Sequence, residues 1–339
     1  MNEGRTGGAI ASLTDLARLA GVSTATVSRA LSGKSAVNAG TRKRIEALAR
    51  AHGYTPNQLA RNLRMGRTQA IGLVLPLGHE RGQHLYDPFL MSMIGHLADI
   101  LTDHGYDLLL SRVTPTDEDW LERLVDSGRT DGVILIGQSD QIAAIDRAAA
   151  RHLPLVVWGA DLPGLRHVTV GSDNRGGGAL AAEHVIGLGR RRLLFVGNPG
   201  GPEFAERCNG FVTAAAAAGV AADVLTIPMT PEAAYAGVAA HLDAAAPPDA
   251  IFAASDVTAV SAFRALTERG LTVPCDVALV GYDDVPLAQQ MSPRLTTIRQ
   301  DIAKGAALLV DTLLRRIAGE AASSVLLPAE LIVRESTAG

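Results

Sequence analysis

Arg29 closes the stretch Ser23-Thr24-Ala25-Thr26-Val27-Ser28-Arg29, in which most side chains are small or carry a hydroxyl. A guanidinium is a planar fork of donors that matches the two acceptors on a guanine edge, so this segment suits the reading of base edges. Groups that would support turnover lack the spacing they need. Gly33-Lys34-Ser35 looks like the tail of a phosphate-binding loop, but Ser28 stands where that motif requires its first glycine. No GxGxxG follows a strand pattern, and Gly176-Gly177-Gly178 reads as a loop after Asp173-Asn174 without the spacing of a dinucleotide turn. The nine histidines form neither HxxxH nor HExxH, and Cys208 and Cys275 have no ligand partner nearby. No GxSxG elbow occurs, and Asp117, Glu118 and Asp119 read as first-turn helix residues matched to the dipole. No catalytic residue, metal site or cofactor is expected.

Three short helices must position Arg29. Ser12, three residues before Asp15, can cap a first helix whose Leu16 and Ala20 share a face. After the interruption at Gly21-Val22, Ser23 can cap a second, with Val27 and Leu31 inward and Thr24, Ala25, Ser28 and Arg29 pointing elsewhere. Asn38 can cap a third, with Ile45, Leu48 and Ala49 inward, Arg42, Lys43, Arg44 and Arg50 outside, and Gly53 as its stop. Two helices joined by a short glycine-containing turn are what a helix-turn-helix requires, although plain packing of a helix pair gives the same spacing.

Charge separates this segment from the rest. Residues 1 to 70 hold 11 Lys and Arg against 3 Asp and Glu, whereas the whole chain carries a net charge of -4. A basic segment on an acidic body points to a nucleic-acid module, with a solvated basic tail as the bland alternative. The 339 residues suggest two or three domains, and a composition 47% hydrophobic and 19% charged excludes a disordered chain. Two cysteines make no disulfide framework. Met1 to Gly8 lacks the form of a secretory signal, and the longest apolar runs fall far short of the ~20 residues of a membrane helix. A soluble cytoplasmic protein with no membrane partner is expected.

From Ala70 onward, apolar runs alternate with helical patterns, which predicts a parallel sheet covered on both faces. Strands are expected at Ile71–Leu75, Leu108–Val113, Val133–Ile136, Leu155–Trp158, Leu193–Val196, Ile251–Ala254 and Val277–Val280. Asp87-Pro88 should open a helix that stops at Gly105. About 270 residues of this pattern suggest two lobes, and clefts at strand ends are where such sheets bind ligands.

The run from Leu13 to Leu31, LTDLARLAGVSTATVSRAL, closely resembles the DNA-binding headpiece of the LacI/GalR family of bacterial repressors. The likeness continues through Gly53-Tyr54-Thr55-Pro56-Asn57 into Leu59-Ala60-Arg61-Asn62-Leu63-Arg64, where that family has its hinge helix. The resemblance implies a helix-turn-helix headpiece over 1–56, a hinge helix and linker over 57–69, and an effector-binding sensor over 70–339. Carried over by position, it assigns base reading to Thr24, Ala25 and Arg29, phosphates to Ser23, Thr26 and Ser28, and a wedge in the central minor groove to Leu63, with Asn57, Leu59 and Ala60 also at the DNA. Ala25 departs in chemistry, since a methyl cannot donate and can only touch a thymine methyl or leave its base unread.

The body resembles the same family at Asp87-Pro88-Phe89, Arg129–Leu135, Ala253-Ala254-Ser255-Asp256, Gly281-Tyr282-Asp283-Asp284 and Leu295-Thr296-Thr297-Ile298. The implied fold is α/β: an all-α headpiece followed by a two-lobed, periplasmic-binding-protein-like (type I) sensor with parallel sheets. Its chain would cross between lobes near Ala160, Met291 and Ser323, giving an N-lobe of about 70–160 and 291–323 and a C-lobe of about 161–290 and 324–339. Arg207 and Asp283 become the polar anchors facing an effector, with Asp87, Ser255 and Asp256 alongside. An arginine fork and a carboxylate pair suit the vicinal hydroxyls of a sugar. Phe89 and Trp158 would offer apolar faces, against core readings for both; strand alternation points Trp158 opposite to Gly159. Ser255 stands where many relatives have asparagine, and Gly159 where many have an acid.

These features imply a transcriptional regulator, a repressor, that binds a palindromic double-stranded operator as a homodimer at the nucleoid and is released by a small molecule, a sugar in the favoured reading. No leucine heptad follows Val333–Gly339, so a dimer is expected without a tetramerising tail. Two rivals share the body: a solute-binding protein of a sugar transport system, and an α/β enzyme acting on a sugar.

Overall fold

The computed structural model describes residues 12–31, 37–54, 67–77, 82, 84–151 and 154–338. They fall into two compact units, residues 1–68 and 69–339.

In the first unit, side-chain caps start the helices. Ser12 Oγ accepts from the Asp15 amide at 3.2 Å and donates to Asp15 Oδ2 at 2.7 Å, opening α1 (Leu13–Ala20). Gly21 ends it at φ +61°, a left-handed conformation that costs a glycine nothing. Ser23 Oγ accepts from the Thr26 amide at 3.2 Å ahead of α2 (Thr24–Leu31), and Asn38 caps α3 (Ala39–Ala51) through the Gly40 amide at 2.8 Å. Leu16, Ala17, Ala20, Val27, Ala30, Ile45 and Ala49 close one small core.

The second unit holds two six-stranded sheets. The first comprises β1 (Ala70–Pro76), β2 (Asp107–Val113), β3 (Gly132–Ile136), β4 (Leu155–Trp158), β5 (Val168–Ser172) and β11 (Val325–Leu327), in the order β11-β5-β4-β3-β1-β2 and parallel throughout. The second comprises β6 (Arg192–Gly197), β7 (Ala221–Thr226), β8 (Ala250–Ala253), β9 (Ala278–Asp283), β10 (Thr296–Arg299) and β12 (Glu330–Ile332), in the order β12-β10-β9-β8-β6-β7, with β12 antiparallel to β10. Continuous apolar strands such as Gly132–Ile136 are buried on both faces because helices cover both. α4 (Pro88–Asp103) and α12 (Ile302–Ile317) cover one face of the first sheet, and α5 (Trp120–Asp126) and α6 (Ile142–Ala150) the other. On the second sheet α7 (Asn174–Gly187) and α8 (Pro202–Ala217) face α9 (Pro231–Ala244) and α10 (Asp256–Thr267) across the strands, and α11 (Pro286–Gln290) follows β9.

The lobe boundaries differ from those expected. The chain does not leave the first lobe at Ala160: Ala160–Arg166 is an excursion turned at Pro163-Gly164, after which Val168–Ser172 pairs with β4 in the same sheet. The crossings fall instead at Asp173, between β5 and α7; at Gln300-Asp301, beyond Met291, because β10 still pairs with β9; and at Pro328-Ala329, beyond Ser323, because β11 pairs with β5. Gly176-Gly177-Gly178, read as a loop, lies in the first turns of α7, capped by Asp173 through the Gly176 amide at 2.8 Å. Asp117, Glu118 and Asp119 precede α5 instead of forming its first turn, and Arg123 Nη2 donates to Asp117 Oδ2 at 2.7 Å.

Candidate functional site

Two surfaces carry candidate function. On α2, Val27 and Ala30 face the core, so Thr24, Ala25 and Arg29 are left exposed and Thr26 and Ser28 half-exposed, next to the exposed Ser23. Arg29 Nε donates to the Ala25 carbonyl at 3.2 Å, which lays the guanidinium along the helix at i, i+4. Lys43, Arg44 and Arg50 of α3 are exposed and Arg42 is half-buried. Asn57, Leu59, Ala60 and Leu63 lie outside the described residues.

The second candidate is a cavity open to solvent between the two lobes. Leu75, Pro76, Asp87, Phe89, Ile136, Gly137, Ser139 and Trp158 line it from the first lobe; Glu203, Phe204, Arg207, Met229, Ser255, Val257, Thr258 and Asp283 line it from the second. These are strand ends and helix starts, where a parallel sheet leaves its open edge.

Arg207 is buried, and each of its contacts fixes a direction. Nε donates to Asn174 Oδ1 at 2.8 Å, Nη1 donates to the Ala254 carbonyl at 2.6 Å, and the guanidinium carbon sits 3.7 Å from the Tyr282 ring centroid. Asp283 lies 3.9 Å from Nη1, an ion-pair distance, while Gln300 Nε2 donates to its Oδ1 at 2.6 Å. Burial pushes the Asp283 carboxyl up to about 7; the Asp87 charge adds to this and Arg207 opposes it. The backbone of Asp283-Asp284 is left-handed, at φ +115° and +56°, a strain held by Asp284, whose carboxylate takes Arg299 Nε at 2.8 Å and Arg334 Nη2 at 2.5 Å.

Asp87 caps α4 through the Phe89 amide at 2.9 Å, and burial raises its pKa against those amide bonds and the charge of Arg207. Phe89 and Trp158 stand 6.2 Å apart, tilted, on the cavity wall. Trp158 serves both readings: it belongs to the core and its indole rests on Gly305, where a Cβ would come within 2.3 Å of Cζ3. Ser255 lines the cavity as the cap of α10, its Oγ accepting from the Thr258 amide at 3.2 Å. Asp256, expected beside the effector, does not line the cavity. Its side chain turns away from the cavity, with Oδ1 accepting from Thr297 Oγ1 at 2.6 Å and Oδ2 from the Val285 amide at 2.9 Å, so it braces the β9–α11 turn. Its pKa is raised by burial and then by the charge of Asp283.

Sequence reasoning missed Asn174, Tyr282, Gln300 and Glu203. Asn174 and Gln300 each stand at a lobe crossing, and they bond Arg207 and Asp283 respectively. The Tyr282 hydroxyl shares Asn174 Oδ1 at 3.3 Å, and burial holds its pKa at about 12. The signal was present in Asp173-Asn174 and Gly281-Tyr282-Asp283, but no spacing rule links residues so far apart.

Among the described residues no group of three or more His, Cys, Asp or Glu could hold a metal, and no helix is long and apolar enough to cross a membrane.

Residues 12–57 match the bacterial regulatory proteins of the lacI family, and residues 182–337 match a periplasmic binding protein-like domain. The chain is 35% identical to the HTH-type transcriptional regulator AglR of Rhizobium meliloti (strain 1021) over 96% of its own length and 94% of that protein's. A solved complex of the transcriptional regulator CelR with cellobiose is 30% identical with a TM-score of 0.70, covering 96% of this chain and all of the other. The lac repressor dimer bound to operator and the anti-inducer ONPF is 26% identical with a TM-score of 0.84, over 96% of this chain and 98% of that one. These relatives are regulators and not enzymes. With a matching helix-turn-helix unit, a matching body and this identity along nearly its whole length, the chain belongs to the LacI family of bacterial transcriptional regulators.

Proposed function

We propose that this regulator binds a palindromic operator as a homodimer and is released from it by an uncharged sugar held between the lobes. The observation that carries the sugar reading is the buried Arg207 fork beside Asp283, lining one cavity with the aromatic side chains of Phe89, Phe204 and Trp158. Donor forks and carboxylates pair with vicinal hydroxyls, and rings cover the apolar faces of a pyranose. Three carboxylates, Asp87, Glu203 and Asp283, against one guanidinium favour a neutral ligand over a sugar phosphate or acid. Cellobiose in the CelR complex supports the same class.

On the DNA side, Thr24, Ala25 and Arg29 read bases and Ser23, Thr26 and Ser28 hold phosphates, with the hydroxyls and guanidinium supplying the donors. Asn57, Leu59, Ala60 and Leu63 belong by sequence likeness to the minor-groove contact, Leu63 as the wedge. A headpiece over 1–56 and a linker over 57–69 precede the sensor, and the protein works in the cytoplasm at the nucleoid.

Selection from random duplexes with the full chain tests the first half: a palindrome should emerge, bound by two copies. Neutral mono- and disaccharides should then release the chain from that duplex while phosphorylated sugars do not. Recovery of an asymmetric site bound by one copy overturns the dimer, and release only by anionic ligands overturns the uncharged sugar.

A further inference from the structure

One carboxylate crosses the cleft. Glu203 stands in the first turn of α8, in the second lobe, and its Oε1 accepts a hydrogen bond at 3.0 Å from the backbone N–H of Gln138, in the turn after β3 of the first lobe. The room for it comes from a missing side chain: a Cβ on Gly159 would lie 2.9 Å from Gln138 Cγ and Cδ and 3.0 Å from Glu203 Oε1.

Gln138 is fixed on its own lobe. Its Nε2 donates to the Ala160 carbonyl at 3.0 Å and lies 3.0 Å from His167 Nε2, while His167 Nδ1 lies 2.7 Å from Asp146 Oδ1. The Asp146 carboxylate can only accept, so Nδ1 carries the imidazole proton and Nε2 accepts from Gln138. The backbone amide that meets Glu203 is thereby held in place before the lobes close.

We propose that Glu203 is a positioning residue of the effector response, a clasp that holds the two lobes together across the cleft. The two partners of this bond stand in different lobes, so parting the lobes at this point would break it and put a buried carboxylate and a buried amide into water. A charged acceptor makes the bond stronger than a neutral one, and the N-terminus of α8 favours the negative charge. Arg207 follows Glu203 by one helical turn on the same rigid element, so a ligand that engages Arg207 and the carboxylate that engages Gln138 move as one body. The regulatory meaning of the clasp rests on the effector reading above; the clasp itself needs neither ligand nor DNA.

The test therefore uses the full chain alone. Cys275 is exposed in the second lobe and Cys208 is buried, so spin labels on Cys275 and on a Glu118→Cys substitution in the first lobe report lobe separation by double electron–electron resonance. Glu203→Ala should move the distance distribution to longer and broader values, and Glu203→Gln, which keeps an acceptor oxygen, should restore it. Gly159→Ala, which fills the slot, should reproduce the alanine effect and serves if Glu203→Ala fails to fold. Hydrogen exchange should quicken about tenfold at the Gln138 amide in Glu203→Ala. It should not change at Gly137, whose amide donates to the Trp158 carbonyl within its own lobe at 2.8 Å. Wild-type distances in both Glu203→Ala and Gly159→Ala overturn the clasp, as does exchange that rises equally at Gly137. Failure of every sugar to release DNA would overturn the effector reading and leave these outcomes unaffected.

Discussion

Gly178 of α7 meets the main chain of Arg207 on α8: a Cβ on Gly178 would lie 2.0 Å from the Arg207 carbonyl oxygen. The contact is reciprocal, because a Cβ on Gly210 would lie 2.0 Å from the carbonyl of Arg175. The two helices thus cross backbone to backbone, and this sets the depth at which the Arg207 side chain enters the cavity. Gly178→Ala should push the helices apart, cost about 1 to 3 kcal/mol of stability and weaken effector response. Gly187→Ala on the same helix, with no neighbour within 4 Å, should be neutral or stabilising by up to about 1 kcal/mol. Denaturant midpoints of the two variants check this, and equal loss in both would contradict the close crossing as the cause.

Arg207→Ala and Asp283→Ala should separate sensing from DNA binding. Operator affinity should persist, while the ligand concentration needed for release should rise about tenfold or more, since a lost anchor leaves buried partners unpaired at about 1 to 3 kcal/mol each. Asn174→Ala and Gln300→Ala should give a weaker version of the same phenotype, because each only orients an anchor. Operator release curves in a titrated sugar read this directly, and unchanged midpoints would remove these residues from the site.

The folded-state pKa of about 7 at Asp283 has a definite sign for stability. Between the ordinary 3.8 and about 7, the folded chain keeps a proton that the unfolded chain has released. The contribution is fully present below the ordinary carboxyl pKa and is lost as pH rises through the folded one. Asp256 acts in the same direction, whereas His167, whose pKa is lowered by burial, opposes both as pH rises toward 6.5. The difference between wild type and Asp283→Asn isolates the one group. The variant should gain on wild type from about pH 4 to about pH 7 in urea unfolding, and a pH-independent difference would show that the Asp283 pKa is ordinary.

Arg29→Ala should cost about 1 to 3 kcal/mol of operator affinity and relax base preference at one position in each half-site, with sugar binding unchanged. Affinity should fall steeply with salt, as phosphate contacts from a basic headpiece require. A loss spread evenly over all sequences would make Arg29 a phosphate contact. Leu63→Ala should weaken specific binding and reduce the DNA bend, as gel mobility of bent fragments can measure.

What the sequence made legible was local. Caps at Ser12, Ser23 and Asn38 and the apolar stripes behind them are decided within a turn or two, and the buried strands β1, β3, β4, β6, β8 and β9 stand out as apolar runs. The strands that escaped notice lack such runs. β7 is an edge strand with a mostly exposed face, β11 and β12 have three residues each, and β5 carries Thr169, Gly171 and Ser172 in a buried position. Missing β5 moved the first lobe crossing to Ala160. The glycine run in α7 misled for a related reason, since glycine signals a loop unless a second backbone lies against it, and that backbone is some thirty residues away. Asn174, Gln300 and Glu203, which hold the cavity's side chains and lobes in register, have partners 33, 17 and 65 positions distant, beyond the reach of any periodicity.

The chain passes between the lobes three times, at Asp173, Gln300-Asp301 and Pro328-Ala329, while a single passage joins the body to the headpiece. For recombination these two kinds of junction are unequal. One exchange event upstream of Gln69 can hand the same sensor a new DNA address, as a cassette. Neither lobe is a contiguous stretch of sequence, so no single exchange can replace one lobe and spare the other. A single exchange can therefore trade the headpiece or the whole sensor, but never one lobe alone.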